Sequence, residues 1–118
     1  MPATLKNENG NIVVNDEVIA SLAGYATIEN YGIIGMASKT AGDGFWQLLG
    51  RENLRRGVQV STVDDSLTID LYVMVQYGVS IIAVAENVIH NVSYHLRKMT
   101  GLDVNSVNVH VEGVRIRD

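Results

Sequence analysis

Between Leu67 and Val75 the chain alternates without a break: Leu67, Ile69, Leu71, Val73 and Val75 fall on one side, Thr68, Asp70, Tyr72 and Met74 on the other. A period of two is the spacing of a β-strand, and five aliphatic side chains on one face demand a layer that covers them. Tyr72 and Met74 are themselves bulky, so this strand reads as central and partly covered on both sides. The period then changes. Gly78 breaks the strand, Ser80 is placed to cap a helix and Val79 to staple onto Val84. On a wheel of about 100° per residue, Ile81, Ile82, Ala85, Val88, Ile89, Val92, Leu96 and Met99 share one arc, while Glu86, Asn87, His90, Asn91, Tyr94, Arg97 and Lys98 share the other. Arg97 and Lys98 complement the C-terminal dipole, and Gly101 followed by Leu102 has the form of a left-handed cap. A helix over 80–100 is predicted, one face core and one face wet.

The other elements follow from the same two periods. Asn11 to Val14 reads as a short strand, and Asn15 with Asp16 and Glu17 as a cap with acids in the first turn. A helix near 16–29 buries Val18, Ile19, Leu22 and Ala26 and stops at Asn30-Tyr31-Gly32. Ile33-Ile34-Gly35-Met36 reads as a short strand and the glycine-interrupted stretch after it, to Gly44, as a flexible loop. Phe45 to Arg56 is read as a short helix bent at Gly50. Val58 and Val60 alternate, Asp64-Asp65-Ser66 turns, and the hairpin closes with the long strand; Val107, Val109 and Val111 form a last strand with one solvated face. The order is β-α-β-(short α)-β-β-α-β. Two helices with one apolar stripe each, and strands with one apolar face, are satisfied together by an α+β two-layer sandwich with an antiparallel or mixed sheet and both helices on one side. The whole chain, 1–118, is read as a single domain of ordinary size.

What the domain does not do is partly set by composition. The longest apolar runs, Leu71–Val75 and Ile81–Ala85, are five residues each, against the roughly 20 that a membrane helix needs. The N-terminus lacks a charged segment followed by an apolar one of secretory length, so a cytoplasmic domain is expected. Zero cysteine removes disulfides and thiolate chemistry, and a net charge of −4 argues against a general polyanion binder.

From Asp70 onward the residues resemble a known family. Asp70-Leu71-Tyr72-Val73-Met74-Val75-Gln76-Tyr77-Gly78, Val88-Ile89-His90-Asn91-Val92, Met99-Thr100-Gly101-Leu102 and Val107-Asn108-Val109-His110-Val111 closely resemble the alkaline shock protein family. Val18-Ile19-Ala20, Tyr31-Gly32-Ile33 and Gly57-Val58-Gln59-Val60 extend the resemblance over most of the chain from Gly10. The resemblance implies a cytoplasmic domain tied to envelope stress in Gram-positive bacteria, without established catalytic residues. It implies protein partners, either a membrane-anchor protein or the dihydroxyacetone-kinase-like fatty acid kinase encoded beside many members, and a place peripheral to the membrane through such a partner. This chain reads as nearly the bare domain, without the long charged tails of some members.

Candidate chemistry is sparse. His90 and His95, five residues apart, lie about 140° apart on a helix and cannot close on one ion without a third element. His90 shares a face with Glu86 and Tyr94, a polar trio that could form half of a metal site with His110; a solvated face is the simpler reading. Asp64 with Asp65 and Asp16 with Glu17 already serve a turn and a cap. Asp70, mid-strand, is solvent-facing or paired across strands. Gly32-Ile33-Ile34-Gly35 puts two isoleucines where a KH loop needs polar or basic groups, and the glycines fit neither nucleotide fingerprint. The one concentration of interaction-prone residue types is Phe45-Trp46 followed by Arg51, Arg55 and Arg56, the sole Phe and sole Trp beside three of nine cations. These five are the candidate partner-binding residues, with packing of Phe45, Leu48 and Leu49 against the sheet as the competing role. The resulting expectation is a non-catalytic scaffold or adaptor without cofactor or metal, able to form a homo-oligomer. A KH-like RNA-binding domain using the three arginines is the alternative, and a small metalloenzyme or hydrolase is third.

Overall fold

A computed structural model describes residues 3–39 and 44–116. Its organising element is β6 (Ser66–Gln76), the long alternating strand, whose inward residues Leu67, Ile69, Leu71 and Val73 are fully buried. Four other strands build a five-stranded sheet around it. β5 (Val58–Val63) and β6 form an antiparallel hairpin whose turn residues, Asp64 and Asp65, both take positive φ (51° and 62°), the geometry of a type I′ turn that matches strand twist. β3 (Ile33–Lys39) pairs antiparallel with the other end of the same β6 edge, Ile33 opposite Val75 and Met36 opposite Val73. β4 (Trp46–Leu48) pairs with β3, and β7 (Asp103–Arg115) runs parallel along the full length of the opposite β6 edge. The sheet is mixed. β1 (Ala3–Asn7) and β2 (Gly10–Val14) form a separate hairpin.

Helices α1 (Asp16–Ile28) and α2 (Ile81–Thr100) cover one face only. Asn15 caps α1, its Oδ1 accepting from Glu17 N at 2.8 Å, and Ser80 caps α2, its Oγ accepting from Ala83 N at 3.3 Å. Gly101 closes α2 with φ of 75° and donates its N–H to the Arg97 carbonyl. Thus the helices begin and end where their caps predict, and Val88 and Val92 are fully buried. The helices meet at Asn91, whose side chain donates to the Asn30 side-chain oxygen at the end of α1.

Four expectations need correction. Phe45–Arg56 is not one bent helix: Trp46–Leu48 is an edge strand, and a kinked 3₁₀ segment spans Arg51–Gly57. The strand wins because β3 offers unpaired backbone groups there, and the Leu49 N–H also donates to the Met36 carbonyl at 2.8 Å. Leu49 and Leu54 are buried as their spacing suggests, from two different elements. Second, the apolar arc of α2 is wider than its buried line. Val84, Val88, Val92 and Leu96 face the sheet, while Ile81, Ile82, Ile89 and Met99 are exposed. Third, α1 packs through small residues: Ala20, Ala23 and Gly24 join Ile19 and Ala26 inside, and Val18 is exposed. Close helix approach to the 3₁₀ segment explains this, since a Cβ on Gly24 would stand 3.1 Å from Leu54 Cβ. Fourth, the loop read after Met36, to Gly44, starts later than expected, since Ala37–Lys39 continue β3 by pairing with β4, and residues 40–43 lie outside the described residues.

Candidate functional site

The face of the sheet away from the helices is formed by the alternate residues of each strand: Thr68, Asp70 and Tyr72 on β6, Asn108 and His110 on β7, Gln59 and Ser61 on β5, Ala37 and Lys39 on β3, and Trp46 on β4. Partner residues on paired strands share a face, so register alone brings these groups together. At its centre three rings stand side by side. Trp46 stacks on Tyr72 with centroids 5.4 Å apart and planes 18° apart, and Tyr72 stacks on His110 at 4.5 Å and 13°. Each such pair is worth about 0.5–1.5 kcal/mol beyond the area it buries. His110 is anchored in turn: its Nε2 lies 3.0 Å from Asp70 Oδ1, and Asn108 Nδ2 donates to the same oxygen at 3.1 Å. Asp70 is therefore the cross-strand-paired carboxylate, engaged by two β7 side chains.

Beside the row lies a hollow, and topology explains it. β5 pairs with β6 as far as Leu71, and β3 takes over at Val73, so at Tyr72 the β6 edge passes from one strand to the other. Where the two diverge, Ala37, Ser38, Lys39, Trp46, Arg56, Val58, Gln59 and Tyr72 line a hollow of about 370 Å³. Among the described residues its walls carry two cations, Lys39 and Arg56, and no carboxylate. Gly57 permits the crossing: a Cβ there would stand 2.9 Å from both the Ala37 carbonyl oxygen and Met36 Cβ.

Of the five partner-binding candidates, the geometry brings Trp46 and Arg56 to this hollow. Trp46 is half-buried, one ring of the row. Phe45, next to it, is 71% exposed. Arg55 turns to α1 instead, its Nη1 3.9 Å from Glu17 Oε2 with both side chains mostly in solvent, a pair of little energetic weight. Arg51 is exposed at the start of the 3₁₀ segment. Tyr72, Lys39 and Gln59 were not singled out as site residues from the sequence, and His110 was weighed only as a metal ligand beside His90, not as a member of this row. The alternation that marks Asp70-x-Tyr72 and Asn108-x-His110 as outward pairs was legible, but their meeting depends on the parallel β6–β7 register.

The histidines are kept apart. His90 sits on the outer surface of α2 in a groove with Glu86, Ile89, Ser93, Tyr94 and Arg97, whereas His110 lies on the opposite side of the sheet. Among the described residues no three His, Cys, Asp or Glu side chains converge as a metal site. No helix there is long and apolar enough to cross a membrane.

Comparison with known proteins places this geometry. The model of the alkaline shock protein 23 family, described as having a cell envelope-related function, matches residues 4–116. The chain belongs to that family. Uncharacterized protein YloU of Bacillus subtilis is 44% identical over 98% of this chain and 98% of its own length, and Uncharacterized protein Spy1614 of Streptococcus pyogenes is 36% identical over 98% and 97%. The Stress response regulator gls24 homolog of Streptococcus pyogenes is 25% identical over 92% of this chain and 61% of its own length. Among solved structures, MamM-CTD 215-293 superposes with a TM-score of 0.50 over 87% of this chain and all of that one; at 12% identity the likeness is one of fold alone. The aromatic row lies within the span that the family model matches.

Proposed function

We propose that this domain is a non-catalytic scaffold or adaptor in cell-envelope homeostasis and stress, and that it docks a protein partner on the helix-free sheet face. The observation that carries the reading is the Trp46–Tyr72–His110 row beside a hollow whose charged lining residues are Lys39 and Arg56. Trp, Tyr and Arg are the residue types that dominate binding energy at protein interfaces, and the two cations among the described lining residues favour an acidic segment of the partner. The family's cell envelope-related description and the stress-response name of the gls24 homolog support the setting. Asp70 and His110 act here as supports: the carboxylate fixes the imidazole and the imidazole fixes Tyr72.

The partner class follows the setting: a dihydroxyacetone-kinase-like fatty acid kinase, or a membrane-anchor protein that would hold the domain at the membrane periphery. The test is direct binding of the purified kinase and of the soluble part of the anchor to this chain. Binding to either that is lost in Trp46→Ala and in Arg56→Glu, with far-UV circular dichroism unchanged and a cooperative thermal transition retained, is the expected result. No binding to either, or binding indifferent to both substitutions, overturns the docking face.

A further inference from the structure

Among the described residues the sheet has one long edge that no strand covers. β7 pairs with β6 on one side and with no strand on the other among the described residues, and thirteen residues at about 3.3 Å each give an open edge of about 40 Å. Natural sheets blunt such edges with charged residues, above all lysine, with proline and with bulges; β7 has neither lysine nor proline, and carries two bulges and charges near its ends. Its order of residues is also close to a mirror image about Val109. Turned end for end, the valines that share the helix-side face fall on one another: Val104 on Val114, Val107 on Val111, Val109 on itself. Asp103 falls on Arg115 and Asn108 on His110. Even the two register irregularities, at Asn105 and Glu112, are mirrored to within one residue.

The flank of α2 above this edge repeats the message. Taking Val88 as the downward residue, Asn91, which reaches α1, lies about 60° round the helix in one sense, and Ile89 about 100° in the other. Ile89 therefore faces away from α1, over the β7 edge, and Ile82 and Ala85 share its flank. Ile82 is 73% exposed and Ile89 38% exposed, though both are aliphatic.

We infer that β7 pairs antiparallel with β7 of a second copy of this chain, about a two-fold axis through Val109, making one continuous ten-stranded sheet. A second copy is the occupant the mirror pattern selects, because an isologous contact sets each residue of one edge against its own counterpart read backwards. Charge fixes the direction: antiparallel pairing sets each Asp103 against Arg115 of the other copy, whereas parallel pairing sets like against like. A perpendicular axis keeps the helices of both copies on one side, so the Ile82–Ile89 flanks meet across it. The two aromatic rows come onto one continuous open face, His110 of each opposite Asn108 of the other.

Sedimentation equilibrium on the whole chain tests this. Asp103→Arg or Arg115→Asp, both at exposed positions, is expected to weaken dimerisation about tenfold or more, and the double exchange to restore it to within about twofold. Because the chain has no cysteine, Val109→Cys puts one thiol of each copy at the axis, within the cross-strand spacing of a disulfide, and mild oxidation should capture a linked dimer there but not from Val63→Cys on the outer β5 edge. A monomer at every concentration reached overturns the inference. So does a dimer indifferent to the single exchanges, a loss that the double exchange does not repair, or equal capture at positions 63 and 109.

Discussion

The two faces of β6 carry side chains from the same eleven residues, yet they are held by different physics. On the inner face Leu67, Ile69, Leu71, Val73 and Val75 vanish under α1 and α2, where what matters is apolar volume. On the outer face Thr68, Asp70 and Tyr72 are only half-buried, and they are held by specific partners: the Asn105 side chain on Thr68, His110 and Asn108 on Asp70, two rings on Tyr72. The inner face holds the fold together. The outer face has geometry that stability alone does not require, which is the physical reason to place recognition there.

The sharpest test of the contrast is the inner face itself. Leu71→Ala leaves a cavity in a core with little freedom to collapse, and a loss of about 3–5 kcal/mol is expected, read by urea denaturation. A loss below about 1 kcal/mol would mean that the helices repack over β6 and that the core is not the rigid reference it is taken to be.

Gly57 joins the two faces, since it sits where β5 yields the β6 edge to β3. A methyl group there meets backbone and side chain at 2.9 Å, so Gly57→Ala is expected to cost about 1–3 kcal/mol and to disturb the hollow lined by Trp46 and Arg56. Tryptophan fluorescence checks the second half. An unchanged Trp46 spectrum with reduced stability would uncouple the crossing from the site.

Tyr72→Ala and Trp46→Ala come next. Each removes ring stacking but leaves the inner face intact, and about 1–2 kcal/mol is expected for either, with loss of partner binding. If Tyr72→Ala proves as costly as Leu71→Ala, the outer face is core by another name and the division fails.

That division also explains how much the sequence could tell. Both helices, the alternating strand and the hairpin were legible, because caps, periods and turn residues act within a few positions of one another. The segment after residue 44 was not: Trp46, Leu48 and Leu49 have spacings that suit a helix, and only pairing with the free β3 edge, which no local cap or period announces, makes a strand of the first two. The arc of α2 was overread for a similar reason, as periodicity reports which residues are apolar but not how far the sheet extends beneath them. In the candidate site, Trp46 and Arg56 were within reach of composition. Tyr72 and His110 were not, since 38 residues separate them and the β6–β7 register that sets ring against ring is a tertiary fact.

The smallest expected effect concerns what keeps the two faces from exchanging. A slip of one residue between β5 and β6 would turn every side chain to the opposite face, and the turn at Asp64-Asp65 is the local device that prevents it. Both residues hold positive φ, which costs an aspartate more than it costs the Asn-Gly pair that type I′ turns favour. Both are also exposed and carry like charges side by side. Replacing them together, Asp64→Asn with Asp65→Gly, is expected to raise stability by about 0.5–1 kcal/mol, a melting-temperature increase of a few degrees for a domain of this length. The turn lies at the far end of the hairpin from Val58 and Gln59, which line the hollow, so partner binding should not change. A rise in stability with altered binding would show that the turn tunes the open face as well as the register. A fall in stability would mean that the two aspartates make a stabilising contribution in the folded turn that outweighs their backbone strain.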